Sequence, residues 1–385
     1  MQQTEKSVND VETYITKLGF RKPSAVQSAC FEGIRDGKDM LVQAPTGSGK
    51  TVAYLAPLFE RYKNAKRTNT ILILTPTHEL ALQVGREANR IAAAMNIGLH
   101  NAIIVGDAGI GRQIEKLKEK PEIIIGTASR IHELIKKRKI TGFTIKTVVL
   151  DEGDRLFDEN NRYMTDEVIK CFMRDRQFLL FSATLTDNCI ECAKFWSREP
   201  AIVKTNEGRE IPDNIKHWYV LCEKRDKLAV LRGVTGAVRT KKAMIFINGA
   251  NEGLEALSKL RARHYMVSYI GGSRSKEDRK KAMQHFKNGK VKYLIATDLA
   301  ARGLQFDDVD TVFHITMPED PHDYLHRAGR TGRAGKVGRN LSIITKAELP
   351  LIRKYEKALN IKFSEKYYYD GKLMDVPKGQ KKQPL

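Results

Sequence analysis

Short, largely continuous apolar runs recur along the chain at intervals that leave room for a helix between them. In the first half they read DMLVQ, ILILT, AIIVG, EIIIG, TVVLD and FLLFS; in the second, AMIFIN, MVSYI, YLIAT, TVFHI and LSIIT. A strand buried on one face alternates apolar and polar residues, whereas a strand covered on both faces is apolar throughout. Parallel strands need crossover helices, and these supply the cover. Amphipathic stretches such as HELALQVGREANRIAAAM, residues 78–95, fill the intervals. The pattern predicts an α/β fold with a doubly wound parallel sheet, made twice. The 385 residues suffice for two cores. A polar stretch with charge, Gly and Pro, KTNEGREIPDNIK, separates the two series. The expected organisation is a first domain over 1–204, a linker over 205–216, a second domain over 217–365 and a loosely held basic tail over 366–385. Two such domains on a short tether are expected to face each other across a cleft.

The charge balance bears on partners. Lys and Arg outnumber Asp and Glu by 67 to 46, a net charge of +21, which predicts a polyanion such as nucleic acid. No apolar run reaches the length of a membrane span, and the start, MQQTEKSVND, has neither a secretory nor an organelle-targeting pattern. A cytoplasmic or nuclear (nucleolar) monomer without membrane contact is expected. Five cysteines argue for a reducing compartment. CIEC, residues 189–192, has the spacing of half a zinc site but no second pair, so thiols partly in the core are the favoured reading.

Two stretches carry phosphate chemistry. APTGSGKT, residues 44–51, lies between DMLVQ and the helix-like TVAYLAPLFERY. Its glycines let backbone N–H groups converge on phosphate oxygens, so Thr46, Gly47, Ser48 and Gly49 form a cradle. Lys50 adds positive charge and Thr51 a hydroxyl for Mg²⁺, with Ala44 where the first Gly is usual. VVLDEGDRLF reads as a buried strand ending in Asp151, Glu152 and Asp154. In a sheet with a phosphate loop, Asp151 is placed to hold Mg²⁺ through its water shell and Glu152 to orient or deprotonate the attacking water.

These motifs, with the ordered set that follows, make the chain resemble a DEAD-box ATP-dependent RNA helicase of superfamily two over roughly residues 15–360. The resemblance implies two RecA-like domains in tandem and the cofactors ATP and Mg²⁺. GFRKPSAVQ, residues 19–27, resembles the Q motif, giving Gln27 the adenine edge and Phe20 the base face. PTHELA, 76–81, is similar to a motif that touches RNA phosphates, with Pro76 and Thr77 carried over and His78 where Arg is usual. VGDAG, 105–109, stands at a Gly-Gly site with Gly106 kept and Asp107 in place of the second Gly. TASR, 127–130, resembles TPGR and gives Thr127 and Arg130 to RNA. SAT, 182–184, resembles the motif that couples ATP to RNA, with Ser182 and Thr184 reaching Asp154.

In the second domain SKEDR, 275–279, keeps Arg279 of an RNA-contacting pattern and has Lys276 for Gln. ATDLAARGLQF, 296–306, resembles motif V and supplies Thr297 and Arg302, with Gln305 where an Asp meets the ribose. HRAGRTGRAG, 326–335, supplies Arg330 and Arg333 as arginine fingers, while His326 and Arg327 link the two domains. Gly153 stands where the family has Ala; it removes a methyl group and costs on the order of 0.5–1 kcal/mol of backbone entropy, so a looser turn is expected.

The expected activity is RNA-stimulated ATP hydrolysis coupled to local duplex unwinding or remodelling of ribonucleoproteins, with sequence-tolerant, salt-sensitive RNA contacts. KKRK, 136–139, either extends the RNA track or is a solvated helix end. Alternatives are a slow-turnover RNA clamp or ribosome-assembly scaffold and, last, a DNA translocase.

Overall fold

The computed structural model describes residues 11–376 apart from 66, 107–108, 206–213, 273–274, 302–303, 305, 307 and 333–335. The chain divides into two compact units, Met1–Glu207 and Gly208–Leu385. Unit 1 runs α1 (residues 11–17), α2 (Ala25–Arg35), β1 (Met40–Gln43), α3 (Lys50–Tyr62), β2 (Ile71–Leu74), α4 (His78–Met95), β3 (Asn101–Ile104), α5 (Ile110–Lys118), β4 (Ile123–Gly126), α6 (Ala128–Lys136), β5 (Thr147–Asp151), α7 (Gly153–Leu156), α8 (Arg162–Ile169), β6 (Gln177–Ser182), α9 (Asp187–Trp196) and β7 (Ala201–Lys204). Its strands form one sheet in the order β3-β4-β2-β5-β6-β1-β7, all parallel.

Unit 2 runs β8 (Ile215–Leu221), α10 (Lys227–Ala237), β9 (Ala243–Phe246), α11 (Ala250–Arg261), β10 (Val267–Ile270), α12 (Lys276–Lys287), β11 (Tyr293–Ala296), α13 (Asp298–Ala301), β12 (Thr311–His314), α14 (Pro321–Ala328), β13 (Gly338–Ile344), α15 (Leu349–Leu359), β14 (Phe363–Tyr369) and β15 (Lys372–Asp375). Its sheet order is β10-β11-β9-β12-β13-β8-β14-β15, parallel except for the last pair.

Burial explains the sequence pattern. In unit 1, Val42, Ile71, Ile73, Val149 and Phe181 pack into one core, while Leu41, Leu72, Leu74, Val148 and Leu180 pack into another on the opposite face. Unit 2 repeats this, with Ile245, Ile295 and Phe313 on one face and Phe246, Leu294 and Val312 on the other. Each face of each sheet is a core, so the central strands such as β2, β5 and β9 are buried throughout.

The sequence did not announce β7, β8, β14 and β15. β7 is an edge strand whose residues are largely exposed, and β8 mixes buried, half-buried and exposed residues. The expected tail is corrected in part: the boundary at 365 falls inside β14, and Lys366–Tyr369 pair with Lys372–Asp375. Residues 377–385 of that tail, and 206–213 of the expected linker, lie outside the described residues. Among the described residues no helix is long and apolar enough to cross a membrane.

Candidate nucleotide and nucleic-acid site

β1 ends at Gln43 and α3 begins at Lys50, so residues 44–49 turn the chain at the carboxyl end of the sheet. Gly47 and Gly49 take φ of +82° and +91°, where side chains are strained. A Cβ on Gly49 would stand 2.5 Å from Gln27 Nε2, so glycine also lets that glutamine lie across the loop. Gln27 Nε2 donates to the Gly49 carbonyl at 3.4 Å, and its Oε1 accepts from the Ser24 N–H at 2.9 Å. Lys50 Nζ donates to the carbonyls of Ala44 and Pro45, at 2.7 and 3.0 Å. Ser48 Oγ is buried without a hydrogen-bond partner. An unsatisfied hydroxyl beside a lysine in a left-handed glycine loop fits a phosphate oxygen. Phe20 is 48% exposed, and the Arg90 guanidinium lies 5.3 Å over its ring.

Asp151 closes β5 and is buried. Burial, reinforced by the charge of Glu152, pushes its carboxyl up to about 6 against the opposing effects of Tyr54 and Lys50. Tyr54 Oη donates to Asp151 Oδ2 at 2.8 Å, and the Glu152 N–H donates to Oδ1 at 3.1 Å. Glu152 has φ +57°, a left-handed value rare for a side-chain-bearing residue and common where function imposes strain. Oxygen donors from Asp151 and Thr51 are the hard ligands that suit Mg²⁺. Tyr54 escaped the sequence reading, because a tyrosine in an apolar helix reads as core.

The coupling residues expected beside Asp154 come together. Thr184 Oγ1 donates to Asp154 Oδ2 at 2.9 Å, while Ser182 Oγ accepts the N–H groups of Asp154 and Thr184 at 3.4 and 3.3 Å. Gly153 departs from expectation. It is buried at the start of α7, and a Cβ there would lie 2.5 Å from Leu180 Cγ, so this turn is tight rather than loose.

Three of the expected RNA stretches meet at Gly106. His78 Nε2 accepts the Gly106 N–H at 3.0 Å, and Arg130 Nη2 donates to the Gly106 carbonyl at 2.7 Å. Arg130 also reaches Gln113 Oε1 at 3.4 Å, and Gln113 Nε2 donates to the Val105 carbonyl at 2.7 Å. Gln113 and Arg90 were missed, since each makes its contact far away in sequence. Thr77 caps α4 by accepting the Leu80 N–H at 3.3 Å, Pro76 precedes it, and Thr127 is the N-cap of α6. Asp107 lies outside the described residues. The KKRK run closes α6, with Lys137 paired to Glu133 at 2.9 Å, the helix-end alternative. The CIEC thiols Cys189 and Cys192 are buried on α9, and burial pushes Cys189 up to about 12. Among the described residues no cluster of three His, Cys, Asp or Glu side chains is placed to hold a metal.

In unit 2, Arg279 Nη2 donates to the Ala300 carbonyl at 3.0 Å, and Thr297 Oγ1 accepts the Ala300 N–H at 3.2 Å. Arg327, expected to link the two domains, is buried inside unit 2. Its Nε and Nη2 grip Asp298 at 2.5 and 2.6 Å, its Nη1 donates to the Thr316 carbonyl at 2.5 Å, and its guanidinium lies 5.0 Å over Phe246. Asn248 Nδ2 adds a bond to Asp298 at 2.8 Å. Burial works against the Asp298 carboxylate, yet the bonds to Arg327 and Asn248 hold it below its ordinary value. Asp298 and Asn248 were also missed by the sequence reading. His326 lies in the last turn of α14, between the buried Leu325 and Arg327. Arg330 is buried, with Nη1 bonded to the Leu304 carbonyl. Arg302, Gln305 and Arg333 lie outside the described residues, as does the Lys276 side chain.

Known proteins are similar to this chain in sequence and fold. The DEAD/DEAH box helicase family matches residues 24–192, and the helicase conserved C-terminal domain matches 225–335. The chain is 36% identical over 97% of its length to the Probable ATP-dependent RNA helicase YfmL of Bacillus subtilis, covering 99% of that protein. It is 35% identical over 95% of its length to the DEAD-box ATP-dependent RNA helicase CshC of Bacillus cereus, covering 94% of it. Among solved structures it is similar to S. cerevisiae Dbp5 bound to RNA and ADP BeF3, with a TM-score of 0.82 and 25% identity over 93% of each chain. It is also similar to Mss116p bound to ssRNA and AMP-PNP, with a TM-score of 0.85 and 26% identity over 95% of this chain and 78% of the other. The chain belongs to the family of DEAD-box ATP-dependent RNA helicases.

Proposed function

We propose that the protein is an RNA-stimulated ATPase that couples ATP hydrolysis to local opening of RNA duplexes or remodelling of RNA–protein complexes. The observation that carries the reading is the meeting of phosphate loop and acidic strand end: Tyr54, one turn beyond Lys50, is bonded to Asp151. Residues 46–51 bind the phosphates, and Gln27 and Phe20 take the base. Asp151-Glu152-Gly153-Asp154 is then a variant of the family's DEAD tetrad. Asp151 and Thr51 hold Mg²⁺, which offsets charge on the phosphates when bound. Glu152 orients or deprotonates the attacking water, and Asp154, Ser182 and Thr184 pass the state of the site to the RNA-facing loops.

Pro76, Thr77, Gly106, Thr127 and Arg130 form the RNA side of unit 1, and Arg279, Thr297 and Arg302 that of unit 2. Arg330 and Arg333 stabilise charge on the transferring phosphoryl group. His326 links the two domains, while Arg327 is anchored on Asp298. The RNA-bound states named for Dbp5 and Mss116p support the nucleic-acid half of the reading.

Steady-state ATPase with and without RNA tests it. Wild type is expected to be stimulated by RNA, and Lys50→Ala and Glu152→Gln to lose about 10²-fold or more. Nucleotide-dependent RNA retention with negligible turnover would show a clamp instead, and equal stimulation by DNA of the same length a DNA translocase.

A further inference from the structure

Tyr54 is fully buried, and its ring packs on Phe181 with centroids 5.2 Å apart. That packing asks only for a phenyl ring. The hydroxyl is a separate matter, because a buried phenol is unfavourable unless bonded, and this one is bonded to Asp151. It donates to Asp151 Oδ2 at 2.8 Å, and the Thr51 side chain, one turn earlier on α3, lies beside it. Asp151 Oδ1 is held by the Glu152 N–H. One backbone contact fixes one oxygen of a carboxylate; the second contact, from Tyr54, fixes the plane. A single hydroxyl thus joins the first turn of α3 to the end of β5.

We propose that Tyr54 is a positioning residue that sets the Thr51 hydroxyl and the Asp151 carboxylate in register, so that the two oxygen ligands receive a hydrated magnesium ion without rearranging. This rests on the assignment of Thr51 and Asp151 to the metal. Hydrogen bonds to a charged acceptor are strong and directional, and loss of one from a buried carboxylate supports an effect of about ten-fold.

The test is Tyr54→Phe in the full chain, which keeps the ring and removes the hydroxyl. Fluorescent ADP binding is measured in EDTA and across a Mg²⁺ titration, alongside the Mg²⁺ dependence of RNA-stimulated ATPase. The expected result is unchanged ADP affinity in EDTA, a Mg²⁺-dependent gain in affinity about ten-fold smaller than in wild type, and ATPase restored by excess Mg²⁺. If affinity in EDTA and in Mg²⁺ is that of wild type, or falls equally in both, the hydroxyl serves packing alone and the proposal is overturned. Asp151→Asn in the same assay separates the two readings: a wild-type response to Mg²⁺ there removes the metal assignment itself.

Discussion

At Gly153 the chain has no room for a methyl group. Leu180 is fully buried on β6, and its Cγ occupies the space a Cβ would need. Gly153→Ala, which restores the residue usual in the family, is therefore expected to destabilise unit 1 by about 1–3 kcal/mol through overpacking. Adding Leu180→Ala opens that space, so the double variant is expected to be more stable than the sum of the single changes allows. Urea unfolding of all four proteins checks this, and strict additivity would sink it. From sequence, the glycine suggested a slack turn, since backbone freedom is visible there and a neighbour 27 positions away on another strand is not. Tyr54, Gln113 and Asp298 were hidden for the same reason. By contrast, the phosphate loop is local: its glycines, Lys50 and Thr51 act within one turn, and their spacing alone identifies them.

Strands carried by continuous apolar runs were legible, the half-buried edge strand β3 included, and the rest were not. β1 to β6 and β9 to β13 carry their burial in continuous apolar letters, whereas β14 mixes Lys, Glu, Ser and tyrosines at a position next to the sheet edge. Two buried histidines packed against Tyr324 of α14 make unit 2 sensitive to acid. His314 on β12 bonds Asn340 through Nε2 at 3.0 Å, and His217 on β8 bonds Tyr324 through Nδ1 at 2.6 Å. Burial pushes His217 down to about 4, and burial together with Arg327 pushes His314 down to about 3, from an ordinary 6.5. Above 6.5 both are neutral whether folded or unfolded. Below it the unfolded chain takes up protons that the fold refuses, so stability falls as pH drops from 6.5 towards about 4 and then 3. Each histidine contributes up to about 1.4 kcal/mol per pH unit. His314→Gln is expected to show a shallower loss between pH 6 and 5 in denaturant titrations; an unchanged slope would show that His314 takes up no protons on unfolding.

For the whole molecule, net charge is the governing quantity. With +21 on the chain and candidate RNA contacts built from Arg, backbone and small hydroxyls, binding is expected to be mainly to the ribose-phosphate backbone. The logarithm of affinity for single-stranded RNA should then fall linearly with the logarithm of salt, at about −0.7 per phosphate neutralised. Arg130→Ala should flatten that slope and loosen the loop it ties at Gly106. A slope indifferent to salt would point to base-edge recognition instead. In unit 1 the aliphatic middles of the strands make the scaffold, while Lys50, Asp151, Gly106 and Thr127 hang from their carboxyl ends. Substitutions at Lys50 and Thr127, which are only partly buried, are therefore expected to cost the fold less than substitutions in the strand middles, so the chemistry at the tips can be altered while the framework stays as it was.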